Sequence, residues 1–259
     1  KEDFFDRIAA EIRLPEALNR KLLCPFQYFG ISDSIDLTNI KWEKGKYAPS
    51  ELTKIYTSND RRVLEIINSI DKYTKDITDT RTIGFCASIE HAKFMAEKFT
   101  LGGLKADYLT SQNSSRRDEI RNKLKSKELH YLFVVDIFNE GVDIPEIETV
   151  LFLRPTESLT IFLQQLGRGL RLAEGKESLT VLDFVGNARP EYDFENKFRA
   201  IIGKTSTSVI KEIEDNFPHL PLGCSIILEK KAKQIILNNI KIATSLNQNK
   251  LIEKIKHFE

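Results

Sequence analysis

Tyr131-Leu132-Phe133-Val134-Val135-Asp136 is an unbroken apolar run closed by a carboxylate. A run of that length, rich in aromatic and β-branched residues, reads as a strand buried on both faces. Similar runs lie on either side. Thr82–Ala87, Val150–Leu153 and Leu179–Phe184 are apolar strands, and Ala106–Leu109 is strand-like. Between them the apolar residues change to helical spacing. Ser88 is a plausible N-cap for a stripe of Ala92, Met95, Ala96 and Phe99. Ser114 or Ser115 can cap a helix through Ile120 and Leu124, a further helix starts near Ser158, and another runs near Phe194 to Ile202. Strand alternating with helix predicts an α/β fold, a parallel sheet with helices on both faces.

Outside this regular part the pattern changes. Residues 1–80 read as a lead-in, with a helical stripe at its start, a strand at Pro25–Ile31, a loop marked by Trp42, Gly45 and Pro49, and a helix around Arg61 to Tyr73. Residues 81–203 form the regular α/β unit. Residues 204–259, rich in Lys, Ile and Asn, predict a helical C-terminal appendage carrying Ile235, Ile236, Ile240, Leu251 and Ile255.

Bulk properties exclude several classes. With 41% hydrophobic and 30% charged residues, the chain can fill a core and solvate its outside. The net charge of +1 provides no overall field, so binding of a polyanion must come from local patches. Cys24, Cys86 and Cys224 are far apart and form no CxxC pair, which points away from a disulfide framework or zinc and towards a reducing, cytoplasmic setting. No apolar run reaches membrane-spanning length, so no membrane partner is expected. His130, His219 and His257 lack metal-ligand spacing, and no metal site is expected within the chain. The chain opens on Lys1, which fits a piece of a longer protein.

Ligands of parallel sheets sit beyond the carboxyl ends of the strands. Three polar clusters follow strands there. One is Ser88, and another is the loop Asp136–Pro145. The third is the helix after Leu153-Arg154-Pro155-Thr156, which carries Gln164-Gln165-Leu166-Gly167-Arg168-Gly169-Leu170-Arg171. A loop with Asp136, Gly141 and Asp143 can place carboxylates beside a ribose or a cation. Arg168 and Arg171, three apart on one helix face, present planar forks suited to phosphate. Gly167 and Gly169 cost helix stability and so imply that a backbone or ligand passes close.

In this order these residues resemble a known family. The chain looks like the second RecA-like lobe of a superfamily 2 helicase or translocase, of the DEAD/DEAH and type III restriction-helicase kind. Gly84–Ala92 resembles motif IV, Asp136–Asp143 resembles motif V, and Gln164-x-x-Gly167-Arg168-x-x-Arg171 resembles motif VI, with Gln164 where many relatives have His. The resemblance implies that Arg168 and Arg171 reach the phosphates of ATP from across an interlobe cleft, one of them as an arginine finger. It implies nucleotide contacts from Gly141, Asp143 and Gln164, and nucleic-acid contacts from Ser88, Asp136, Arg116 and Arg117. Val135 replaces a threonine common in relatives, and Glu140 replaces an arginine of the RNA-dependent branch, which favours DNA over RNA.

Such an enzyme needs a Walker A loop and an acidic motif for Mg2+. The nearest approach here, Gly203-Lys204-Thr205, has Phe198 at the place of the first glycine and follows a helical stretch. ATP and Mg2+ are therefore expected to rest mainly on an N-terminal RecA-like lobe of the same protein, and this chain alone is expected to be inactive. The rival expectations are a non-catalytic module that binds nucleic acid or protein on the same fold, and an unrelated α/β enzyme for a phosphorylated small molecule. Buried apolar placement is expected for Cys86, a surface or capping role for His91, and a capping or pairing role for Asp183.

Overall fold

A computed structural model of the chain describes residues 12–135 and 144–256. The order begins with α1 (Leu14–Asn19), β1 (Phe26–Asp36), a hairpin of β2 (Trp42–Glu43) and β3 (Lys46–Tyr47), α2 (Pro49–Thr57) and α3 (Asp60–Tyr73). It continues with β4 (Thr82–Phe85), α4 (Ile89–Leu101), β5 (Ala106–Leu109), a 3-10 segment Ser111–Arg116, α5 (Arg117–Lys125) and β6 (Tyr131–Val134). The rest is β7 (Thr149–Phe152), α6 (Leu159–Gly169), β8 (Leu179–Asn187), α7 (Phe194–Ile202), α8 (Val209–Glu214), β9 (Ser225–Leu228) and α9 (Lys230–Lys256).

The main sheet has seven strands in the order β5-β6-β4-β7-β8-β1-β9, and each pairing is parallel. Successive side chains of a strand point to opposite faces, which is why strands apolar at every position are needed here. Tyr131 and Phe133 pack with Ile66 and Ile70 of α3 and Met95 and Phe99 of α4. Leu132 and Val134 join the other layer, with Leu124 of α5, Phe162 and Leu166 of α6, and Phe198 of α7. The predicted α/β class, parallel sheet and two helical layers are those observed.

Both flanking segments contribute to this sheet. β1, from the part read as a lead-in, lies between β8 and β9, and β9 comes from the part read as an appendage. Their strands dock because Phe26, Tyr28 and Ile226 enter the same apolar layer as the rest. Ala232, Ile236 and Ile240 seat α9 on that layer too. The loop expected around Trp42 and Gly45 closes as a hairpin, with Lys44 and Gly45 at positive φ in the turn.

Candidate functional site

The path of α6 decides where the arginines stand. Ser158 caps the helix at the carboxyl end of β7, its Oγ accepting from the Ile161 N–H. The helix then runs back antiparallel to the strand, as a βαβ crossover must. Its last turn therefore lies by the amino ends of the strands. The carbonyl of Leu170 accepts from the N–H of Cys24, just before β1, at 2.8 Å. A Cβ placed on Gly169 would come within 2.7 Å of a methyl of Leu179, the first residue of β8. The expectation that Arg168 and Arg171 sit at the carboxyl edge is thus overturned. The carboxyl-edge rule describes the first residues after a strand, and these arginines follow a full helix.

The arginines also do not share one helix. Arg168 occupies the last turn of α6, whereas Arg171 lies past the C-cap residue Leu170. Both are partly buried, and burial pulls the Arg168 guanidinium below its ordinary value. Gln164, one turn before Arg168, is exposed. The two glycines differ in purpose. Gly169 lets the helix pack tightly on Leu179 and Val150, while nothing lies within 4 Å of a Cβ placed on Gly167. Gly167 therefore has no packing reason within the described residues, and its surface is open to an approaching group.

Lys176, which sequence reasoning did not single out, closes this end. Its Nζ donates to the carbonyls of Gly169 at 2.5 Å, Pro145 at 3.0 Å and Arg171 at 3.1 Å. Burial lowers the pKa of its ammonium. The readable signal was a lysine shortly after a helix end, where cations meet the last carbonyls. Val135 lies at the carboxyl edge, and Ile144 leads into the amino end of β7. Asp136, Gly141 and Asp143 lie outside the described residues.

The remaining candidates are at the carboxyl edge. Ser88 caps α4, its Oγ accepting from the His91 N–H at 3.2 Å, and its hydroxyl helps hold Glu90 below the usual carboxylate range, after that residue's own N–H. Arg116 is engaged by Asp107 at 2.8 Å and Glu119 at 3.3 Å, so its charge is already met by two carboxylates. Arg117 starts α5 beside it. Arg116 and Arg117 stand far in the sheet order from the arginine end of α6, since α5 follows edge strand β5.

His91 is a correction. Of the surface and capping roles expected for it, the first is overturned: it is fully buried and stacked on Tyr56 at 4.9 Å, while its Nδ1 accepts from the Ala87 N–H just ahead of α4, a capping contact. Helix α2 covers the start of α4 and so takes that face from solvent. Burial, then the charges of Arg62 and Arg154, hold its pKa well below the ordinary value. Asp183 pairs, as one of its expected roles allowed. It is buried level with Phe152 at the carboxyl end of β7, and receives hydrogen bonds from Lys197 at 2.5 Å and from Tyr28. Cys86 is buried. Phe198, at the glycine position of the rejected phosphate loop, sits in the middle of α7.

Comparison with known proteins finds helicases by sequence and by fold. The family described as Helicase conserved C-terminal domain matches residues 62–173. The putative ATP-dependent helicase IRC3 of Saccharomyces cerevisiae is 29% identical over 183 residues, which is 70% of this chain and 26% of that protein. A 51.5 kDa protein of a Lactococcus phage is 26% identical over 188 residues, 72% of this chain and 40% of that protein. This chain thus spans between about a quarter and two-fifths of their length. Among solved structures, a fragment of a putative HsdR subunit of a type I restriction enzyme from Vibrio vulnificus YJ016 superposes with a TM-score of 0.59 at 18% identity, covering 88% of this chain and 42% of that one. Residues 62–173 are thus similar to the helicase conserved C-terminal domain family, and the parallel sheet that holds them has the fold of a helicase-type RecA-like lobe.

Proposed function

We propose that this chain supplies the second lobe of an ATP-dependent DNA helicase or translocase, and that Arg168 and Arg171 are its arginine fingers. The observation that carries the reading is the amino-edge end of α6. There Arg168 stands in the last turn and Arg171 just past the C-cap, and Gly167 beside them has open space where a side chain would stand. A guanidinium presents paired donors to a phosphoryl group and offsets the charge spread over its oxygens during transfer. The donor set fits the phosphates of ATP. It does not fit Mg2+, because among the described residues no group of three or more His, Cys, Asp or Glu could hold an ion. Mg2+ would therefore rest on a first lobe, where it supplies charge neutralisation of the β- and γ-phosphates.

In this reading the two edges of one sheet have different work. The amino edge faces a nucleotide held by the first lobe. The carboxyl edge, with Ser88 at the cap of α4 and Arg117 at the start of α5, carries part of the nucleic-acid track. By the resemblance, Gly141 and Asp143 would contact nucleotide. Because the chain contains no GxxxxGK[ST] sequence, it would not hydrolyse ATP alone. The preference for DNA rests on Glu140 standing where RNA-dependent relatives carry arginine.

The test is steady-state ATP hydrolysis by the full-length protein, with and without single-stranded DNA or RNA. DNA-stimulated turnover that is lost in Arg168→Ala and Arg171→Ala supports the reading. Wild-type turnover in both variants removes it, and would leave a binding module on a helicase-like fold.

A further inference from the structure

We propose that Lys176 is a positioning residue for the arginine site: it sets the backbone of Arg171 and of the last α6 turn, and ties them to the segment that follows residue 143. This rests on the reading of Arg168 and Arg171 given above. An ammonium has three protons. Here each finds a main-chain carbonyl, those of Pro145, Gly169 and Arg171. Two of these acceptors straddle the C-cap residue Leu170, and the next residue, Arg171, does not take the positive φ of the left-handed turn that often satisfies the last carbonyls of a helix. The cap is instead delivered from seven residues along the chain, by a side chain rather than by a turn. The third acceptor, Pro145, lies two residues past the Asp136–Asp143 motif.

The chemistry argues against a plain cap. Removing a charge from water costs free energy. An exposed lysine or a glycine turn would satisfy the same helix carbonyls without that cost. What the buried ammonium adds is a common fixed point for Arg171 and Pro145, so that the two segments can shift only together. Cys24 joins the same point, its Sγ lying 3.7 Å from the Gly169 carbonyl. Lys176 itself reaches no open phosphate position, because its three protons are committed to the backbone. Its effect on hydrolysis would pass through the arginines.

The experiment compares full-length wild type, Lys176→Met, Lys176→Arg and Arg168→Ala by DNA-stimulated ATP hydrolysis, with thermal unfolding of each. Lys176→Met keeps the stem and removes the donors. Its kcat is expected to fall about 100-fold, as a small misplacement of catalytic groups can cause. Its KM for ATP and its half-saturating DNA concentration should stay within about threefold, because ground-state binding is not what Lys176 controls. Lys176→Arg, which keeps charge and donors, should recover at least about tenfold of that loss. A merely structural lysine would lower the folded fraction and leave kcat per folded molecule unchanged. Should Lys176→Met not fold, Lys176→Gln, with its two N–H donors, takes its place. Turnover per folded molecule within about threefold of wild type in the Met or Gln variant overturns the proposal. If Arg168→Ala itself keeps wild-type turnover, the underlying assignment of the arginines fails, whatever Lys176 does.

Discussion

The N–H of Cys24 donates to the carbonyl of Leu170 at 2.8 Å, which fixes the arginine end of α6 beside the start of β1. Because the chain enters β1 directly after Cys24, the guanidiniums of Arg168 and Arg171 belong to the amino edge of the sheet. The carboxyl edge carries Ser88 and Arg117. Under the proposed function, a nucleotide and a nucleic-acid strand would be served from opposite ends of the same parallel strands, without competing for one crevice.

The two glycines beside Arg168 should respond oppositely to alanine. At Gly169 the new methyl meets Leu179 at 2.7 Å and Val150 at 3.0 Å. Leu179 is fully buried, so its side chain has no free space to move into. Overpacking there should cost roughly 1–3 kcal/mol, partly offset by the better helix propensity of alanine. At Gly167 the methyl meets nothing within 4 Å, and Gly167→Ala should leave the isolated chain as stable or up to about 1 kcal/mol more stable. Urea denaturation of both variants reads this directly. In the full-length protein Gly167→Ala should nevertheless impair ATP hydrolysis if, as proposed, a nucleotide held by the other lobe approaches this open surface. Unimpaired hydrolysis would show that no such approach occurs.

Arg62 secures the carboxyl edge. Its Nε meets Asp33 at 2.9 Å, its Nη2 donates to the Leu153 carbonyl at 2.9 Å, and its guanidinium lies 4.4 Å from the Tyr56 ring centre. Both members of the ion pair are almost wholly buried. Arg62→Met strands the Asp33 carboxylate in the interior and should destabilise the chain by about 3–5 kcal/mol. Combining it with Asp33→Asn should recover part of that loss, because the orphaned charge is gone. Additive losses in the double variant would contradict direct coupling.

His91 predicts a pH dependence. Its folded pKa lies well below the ordinary value, so below about pH 6.5 the unfolded chain takes a proton that the folded chain refuses. The unfolded state then binds more protons, and stability falls as the pH is lowered, by up to about 1.4 kcal/mol per pH unit from this group. His91→Gln keeps an acceptor for the Ala87 N–H but cannot protonate. Between about pH 7.5 and pH 5.5 it should lose less stability than the wild type by this amount. Equal losses in the two proteins would remove His91 as the source.

The fold could be read from residues such as Tyr131–Val135, because a strand buried on both faces needs apolar side chains at every position. The membership of β1 and β9 in the same sheet could not be read so easily. Their neighbours β8 and β1 are distant in sequence, and nothing local announces a pairing such as Gln27 with Ser225. The arginines were readable as a pair but not as to place, since their edge depends on the direction of the helix that carries them. The burial of His91 was not legible because its cover, Tyr56 of α2, comes from the segment read as a lead-in. Lys176 went unseen because its partners are backbone carbonyls, which every sequence possesses.

The central claim is that the arginines act on the phosphoryl group during transfer. The most direct test is the rate of bond cleavage in a single turnover by the full-length protein pre-loaded with ATP and DNA, for wild type and Arg168→Ala. The account predicts that cleavage falls by roughly three to five orders of magnitude while ATP is still bound. Cleavage within a few-fold of wild type would contradict it.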